Sequence, residues 1–342
     1  MGRSLDLRLM PLQQLLQQPA ARLDRVLGVS LFGADAVPEP LRARGVPVVR
    51  VPAPVVGADG PDGPVCEVWS SAPAVRCGRA AQAQWRATDE LMFVSVDVDP
   101  QLPIEQAAAA AYRTLFDTLE AEGCPHLLRV WNHVGDINGE ADGLERYRRF
   151  NIGRQQAFVD RRRQVAGASV PAASAVGARA DAPLLVYALA ARQAPLALEN
   201  PRQVSAYHYP ADYGPRAPTF SRANLYGDDA PLLFVSGTAS IVGHQTQHPG
   251  DVREQTRETL RNIAALADIA RAARGVQLAL GDLQFKVYLR AAADHAVVRD
   301  ELARAAGPNA EVLFVQADIC RRELRVEIEA FAWPGREHTC LC

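Results

Sequence analysis

The sequence predicts an α+β fold: two tandem β-α-β-α-β-β units behind an N-terminal extension that itself contains strands. Two observations carry this. Strand-like runs and helix-period stretches follow one another in the same order twice, near 86–210 and 228–333. The opening strands of the two repeats also echo each other, "ELMFVSVDVD" at 90–99 and "PLLFVSGTAS" at 231–240. The boundaries follow: an extension over 1–85, a first unit over 86–210 and a second over 211–342.

The extension carries strand-like pieces at "VLGVSLFG" and "VPVVRVPA", then a loop over 52–64 rich in Pro, Gly and Asp. In the first unit the echo strand leads to a helix from Pro103 to Glu122. "HLLRVWNHVGDI" (126–137) is a strand, and "GLERYRRFNIGRQQAFVDRRR" (143–163) a helix. Small residues over 167–182 read as a loop. "APLLVYALAAR" and "RQVSAYHYP" read as the two closing strands, and 209–227 as the connection onward.

In the second unit "PLLFVSGTASIV" is the first strand. Asp251 opens a helix, with Glu254 as its capping-box partner and Leu260, Ile263, Leu266 and Ile269 along one stripe. "DLQFKVYLR" (282–290) alternates, "DHAVVRDELARAA" (294–306) is a helix, and "EVLFVQADI" and "ELRVEIEAFA" close the sheet. Along the last strand Leu324, Val326, Ile328, Ala330 and Ala332 share one apolar face. Arg325, Glu327, Glu329 and Phe331 share the other. If that second face meets a closed pocket, its glutamates are candidates for chemistry.

The chain has 342 residues, 48% hydrophobic and 22% charged, with net charge -2 and a pI near 6.4. There is no global basic field, so nucleic acid and anionic membranes are not expected partners. An anionic substrate needs local arginines instead. No apolar run reaches membrane-spanning length, and the N-terminus is no secretory signal. The six cysteines follow no disulfide or zinc spacing and read as reduced cytoplasmic thiols. No metal site is expected: His244 and His248 fall on a loop without a third ligand, and the tail "REHTCLC" reads as a frayed terminus. G-x-S-x-G, Walker and G-x-G-x-x-G patterns are absent, which leaves hydrolase-elbow and nucleotide-binding readings unsupported.

Several residues stand out. Tyr147, Phe150, Arg154 and Phe158 share one helix face, and an arginine in an aromatic stripe calls for an anionic partner. Gly153 beside it permits a close backbone approach. "YHYPADYGPRAPTFSR" supplies Tyr207, Tyr209, Tyr213, Arg216 and Arg222, natural donors to carboxylates and hydroxyls, or else a packed linker. Gly237, within "SGTAS", gives room for a ligand or marks a bulge.

"LLFVSGTAS", "DVREQTRETLRNIAAL" and "LRVEIEAFA" resemble the YjgF/RidA family of imine deaminases, whose fold is chorismate-mutase-like and whose members assemble as trimers. In that family the first glutamate of V-E-I-E, here Glu327, lies in the inter-subunit cleft. The deaminases hold their substrate with an arginine on the preceding strand, and "EVLFVQADI" has none. More specifically, "RYRRFNIGRQQAF", "YPADYGPRAPTFSRA", "FVSGTASIVGHQTQHPGD" and "CRRELRVEIEAFA" resemble the chorismatases, over most of the chain. The resemblance implies a YjgF-like fold and removal of the enolpyruvyl group of chorismate as pyruvate, with no cofactor. Products in that family are a dihydroxycyclohexadiene carboxylate, 3-hydroxybenzoate, or both 3- and 4-hydroxybenzoate, the last two leading toward aryl pigments and ubiquinone.

The resemblance assigns Glu327 as catalytic acid and matches Cys320 to a cysteine of the hydroxybenzoate-forming branch. It assigns Tyr147, Arg154 and Arg222 to substrate binding, with one of the tyrosines between Tyr207 and Tyr213. Arg216 and Gly237 complete the expected set. The expected activity is a dual hydroxybenzoate-forming chorismatase, with the cyclohexadiene product, imine deamination and small-acid sensing as alternatives. Chorismate is the expected partner, and internal duplication is compatible with a monomer. Protonating an enol ether carbon needs an acid that stays protonated near neutral pH, which burial and a neighbouring charge such as Glu329 would provide. If the last two strands form a tight hairpin, Cys320 lies at its turn, roughly 13 Å from Glu327 at ~3.3 Å per residue.

Overall fold

The computed structural model describes residues 5–57, 63–141, 143–228, 230–275 and 277–333. The tail with His338, Cys340 and Cys342 lies outside the described residues, as does most of the 52–64 loop's tip.

Two α+β units follow one another, but their bounds differ from those expected: strands Arg76–Ala80 and Ala83–Ala87, expected in or at the edge of the extension, belong to the middle sheet, and Leu196–Leu198, expected in the first unit, belongs to the C-terminal sheet. In the middle unit, β5 (Arg76–Ala80), β6 (Ala83–Ala87) and β7 (Leu91–Val96) lead to α4 (Ile104–Ala121), β8 (His126–Gly135), α5 (Arg146–Asp160), β9 (Ala172–Ala178) and β10 (Leu185–Ala191). In the C-terminal unit the matching run is β11 (Leu196–Leu198), β12 (Ala223–Tyr226), β13 (Leu232–Ala239), α6 (Val252–Arg274), β14 (Gln284–Leu289), α7 (His295–Ala306), β15 (Val312–Gln316) and β16 (Val326–Ala332). The sheets are ordered β5-β6-β7-β10-β8-β9 and β11-β12-β13-β16-β14-β15, the same order strand for strand. In each, the second and third strands of the β-α-β-α-β-β unit pair in parallel, and the fourth runs antiparallel between the first and second.

The N-terminal extension contains strands as expected, and they repeat the topology a third time. β1 (Asp6–Pro11), β2 (Val26–Phe32), β3 (Val48–Val51) and β4 (Val65–Ser70) are ordered β1-β4-β2-β3, with β2 and β3 parallel. Its crossovers hold only short helices, α1 (Leu12–Leu16), α2 (Ala20–Leu23) and α3 (Glu39–Arg42).

Inner faces of the three sheets meet in one core. Trp69 of the first, Trp131 and Tyr187 of the second, and Phe234 and Phe331 of the third all belong to it. Trp69 meets Phe331 edge-on at 5.2 Å, and Trp131 stacks on Tyr187 at 5.0 Å. The long helices cover the outer faces: α4 and α5 close a second core over the middle sheet, α6 and α7 a third over the C-terminal sheet. Gly153 of α5 lies against the Glu105 backbone of α4, where a Cβ would overlap it. Asp251 caps α6 by accepting from the Glu254 amide at 3.1 Å, and Gly275 ends it at φ 69°. Glu254 itself pairs with Arg257 at 2.5 Å.

Three local expectations are corrected. Residues 167–182 are not all loop: Ala172–Ala178 forms β9, an edge strand paired with β8. Its small residues let the middle sheet approach the C-terminal unit, since a Cβ on Gly177 would meet Asp318 at 2.6 Å. "RQVSAYHYP" is not a strand but holds a short turn of helix over Ala206–His208. β9 and β10 have already completed the sheet. Finally, β15 and β16 form no hairpin. β14 lies between them, and residues 317–325 cross from one to the other.

Candidate active site

A cleft of about 340 Å³ opens between the middle and C-terminal units. Its walls come from four places: the start of α5, the 209–222 connection, the end of β13, and the 317–325 crossing with β16.

Glu327 points into this cleft and is 4% exposed. The other face of β16 packs Val326, Ile328 and Ala330 into the core beneath α6, as the alternation predicts. β13 makes room for the carboxyl. Its pairing with β16 slips by one residue between Val235 and Thr238, a bulge that places Ser236 and Gly237 opposite the acid strand. A Cβ on Gly237 would overlap the Glu327 carboxyl. Gly237 therefore serves the site through the space it leaves.

Cys320 lines the same cleft. The separation expected from a hairpin does not arise, because the crossing loop folds back over the cleft. Arg290 fixes this return by donating to the carbonyls of Ile319, Arg321 and Leu324 at 3.0, 2.9 and 2.8 Å. Burial, with the nearby Glu327 charge, pushes the Cys320 thiol up to about 12, so it is a neutral, weakly polar wall. Tyr147 lines the cleft from α5, and burial raises its hydroxyl as well.

The cations of the site differ in part from those expected. Arg222 lines the cleft, 3% exposed, held by the Val204 carbonyl at 2.6 Å and the Tyr209 hydroxyl at 2.9 Å. Its Nε is buried without a partner. Arg154 is not among the lining residues. It is 1% exposed behind the wall, donates to the Thr219 carbonyl, and lies 5.3 Å from the Tyr112 ring. Its unexpected place in the aromatic stripe is explained by that ring and carbonyl. Arg216 is exposed and Tyr207 packs edge-on against His208; neither lines the cleft. Of the tyrosines, Tyr209 and Tyr213 do.

Sequence reasoning missed Arg321. Its guanidinium lies 4.2 Å over the Tyr213 ring and 5.3 Å over Tyr209, and donates to the His244 carbonyl at 2.9 Å and the Thr246 hydroxyl at 3.1 Å. Its Nη2 is buried without a partner. Arg222 lies 5.5 Å over Tyr209 as well. Tyr209 thus brings together two arginines, each with an unused buried donor. The available signal was the pair of arginines directly after Cys320.

Behind the cleft lies a second missed cluster. Glu329, 5% exposed, pairs with Arg129 at 2.6 Å and Lys286 at 2.7 Å; Lys286 also reaches Glu67 at 2.7 Å. Burial pushes Glu329 up, but Lys286 and Arg129 outweigh it and hold the carboxyl at about 2. Burial and then the Glu329 charge raise Glu327 to about 8; Arg129 opposes the rise but does not outweigh it. Two carboxyls on one strand face are thereby driven apart, one toward acid and one toward anion. Arg129 within "LLRVW" and Lys286 within "FKVYL", each a lone cation among apolar and aromatic strand residues, were the signal for this cluster.

A larger groove, about 480 Å³, lies on the outer side of the N-terminal unit. Its Arg8 is paired with Asp6 at 2.7 Å. Chemistry rather than volume singles out the smaller cleft.

The family described as chorismatase FkbO/Hyg5-like, N-terminal, matches residues 67–190. A 3-hydroxybenzoate synthase of Streptomyces hygroscopicus is 38% identical over 277 residues, 78% of this chain and 81% of the relative. A chorismatase of the same organism is 38% identical over 269 residues, 77% and 78% of the two chains. The crystal structure of a chorismatase matches with a TM-score of 0.83 at 33% identity, over 96% of this chain and 98% of that one.

Proposed function

The chain belongs to the chorismatase family, and from that premise we propose that it converts chorismate to 3-hydroxybenzoate and pyruvate, with Glu327 as the proton donor. One observation carries the reading. Glu327 is a buried carboxyl raised to about 8, facing a cleft that also holds arginine donors without partners.

Chorismate carries two carboxylates, and Arg222 and Arg321 each have a free buried N–H for one of them. Holding both ends fixes the ring and presents the enol ether. Arg154 contributes from behind, by fixing the Thr219 carbonyl next to Phe220 in the cleft wall. Glu327 then gives its proton to the methylene carbon, leaving an oxocarbenium ion. As the C3–O bond to pyruvate breaks, the ring's own C4 hydroxyl closes on C3 and its proton restores Glu327. The epoxide so formed opens at C4, and passage of the C3 proton to the oxygen gives 3-hydroxybenzoate, whereas direct loss of the C4 proton gives the 4-isomer. The sum is an isomer pair: the two products together hold the atoms of chorismate, and no water is consumed.

Cys320 in the cleft wall supports the aromatic branch over the cyclohexadiene product, and we infer that 4-hydroxybenzoate accompanies the 3-isomer. Tyr147, also in that wall, packs against the substrate in this reading. The four described cysteines are free thiols, which supports a cytoplasmic setting. No helix among the described residues is long and apolar enough to cross a membrane.

The test is to mix the protein with chorismate and separate the acids formed. Pyruvate with equimolar hydroxybenzoate is expected. Absence of pyruvate would sink the activity, and pyruvate with only a cyclohexadiene acid would reject the branch.

A further inference from the structure

Glu327 and Glu329 stand two residues apart on one strand face, roughly 6–7 Å along β16 at ~3.3 Å per residue. Their surroundings are opposite. Among the described residues Glu327 has no hydrogen-bond or ion-pair partner, whereas Glu329 is ringed by donors.

We propose that Glu329 is a positioning residue for the reaction: a permanently charged carboxylate, fixed by groups from all three units, that keeps the neighbouring Glu327 in its acid form between turnovers. The inference rests on Glu327 being the proton donor.

The donors come from different elements. Arg129 of β8 and Ser174 of β9 each reach Oε2 at 2.6 Å. Trp131 of β8 donates to Oε1 at 2.8 Å, and Tyr288 of β14 to Oε2 at 3.1 Å. Lys286 of β14 completes the ring at 2.7 Å, and its other side is taken by Glu67 of β4. So many donors on one carboxylate leave no reason for it to bind a proton. The remaining titratable neighbours do not compete for that role. Burial, then Lys286, lowers His133 of β8 to about 3, so it is neutral, and burial raises the Tyr187 hydroxyl of β10.

On the Glu327 side, the neighbours are the neutral Cys320 of the crossing loop, Tyr147 of α5 and, as register partner, Tyr288. Arg129 acts on Glu327 as well, and its charge opposes that of Glu329 there. Ser174 holds the arrangement together: it accepts from Arg129, donates to Glu329, and its Oγ lies 3.0 Å from where a Cβ on Gly237 would be. The device therefore reaches from the N-terminal unit to the wall of the cleft.

The experiment compares the pH dependence of kcat in the full chain and in Glu329→Gln, alongside Glu327→Gln. In wild type, turnover falls as pH rises through about 8, where Glu327 loses its proton. Glu329→Gln removes the repelling charge but keeps the two cations. Its alkaline limb is expected to move toward acid by a unit or more; for one unit that is a roughly twofold loss at neutral pH, growing to about tenfold above pH 8 and recovered at lower pH. KM should change little. A limb that stays in place while turnover drops equally at every pH marks a merely structural role and overturns the inference. Should the variant not fold, the double variant Glu329→Gln/Lys286→Met, which removes the charge together with its counter-charge, carries the same pH test: an alkaline limb moved toward acid supports the inference, and an unmoved limb overturns it. Full turnover by Glu327→Gln is a different result and would remove the proton donor itself.

Discussion

β10 and β16 occupy the same place in the same topology. Counted from the Leu-x-Phe-Val-Ser starts of β7 and β13, the pairing sets Leu185, Tyr187 and Leu189 of β10 where β16 has Glu327, Glu329 and Phe331. In β10 the central position is filled by a tyrosine that stacks on Trp131 at 5.0 Å and on His133 at 6.0 Å, an aromatic core that needs no charge. In β16 two carboxylates occupy the corresponding space, and the molecule supplies a bulge, an ion cluster and an open cleft to accommodate them. The topology provides a strand buried on both faces. The donors and vacancies around it decide whether that strand is core or catalyst.

The comparison is broken most severely at Glu327. Replacing it by Gln should lower kcat by about 10³-fold or more while substrate still binds, read by turnover and by calorimetric titration. The same variant should gain stability. The carboxyl titrates near 8 when folded against 4.5 as its ordinary value, so the folded chain binds that proton more tightly. Wild-type stability therefore declines as pH rises from about 4.5 to about 8, and Gln escapes this loss. Thermal melts should show the variant ahead above about pH 8, and a variant less stable there would contradict the burial of an unpartnered acid.

Next in size is Gly237→Ala, which fills the bulge that β7 lacks. Displacing Glu327 should cost about 10²-fold in kcat, with the melting temperature changed far less than activity. Arg321→Gln tests the clamp. Losing one charge-assisted contact should raise KM about 10- to 100-fold and leave kcat nearer to wild type. An unchanged KM would return the second carboxylate to another cation. The smallest effect belongs to β10: Tyr187→Phe removes a hydroxyl 3.4 Å from His133 and should cost about 1 kcal/mol of stability with no change in turnover.

The two long units were legible because their strands alternate and their helices run long enough to show a period. The N-terminal copy was not recognised as one, since helices of 4 or 5 residues give no helical period to read. β9 was hidden for another reason: Ala, Ser, Val and Gly in an edge strand show no apolar alternation, yet small size is what the close sheet contact requires. At the site, Glu327 and Arg222 both line the cleft. Arg154 does not reach the cleft, because an arginine on the buried face of a helix found its partners in a ring and a carbonyl. Arg321 was unreadable for the converse reason. In sequence it is one of two adjacent loop arginines, and only the Arg290-held crossing turns it inward.

The cleft lies between two units of one continuous chain. Where such a cleft is shared by separate subunits, the fraction of complete sites depends on protein concentration. Here the second wall is tethered to the first, so its arrival is an intramolecular event set by the chain rather than by mass action. Dilution should leave the specific activity of each molecule unchanged, even where a subunit-built site would come apart.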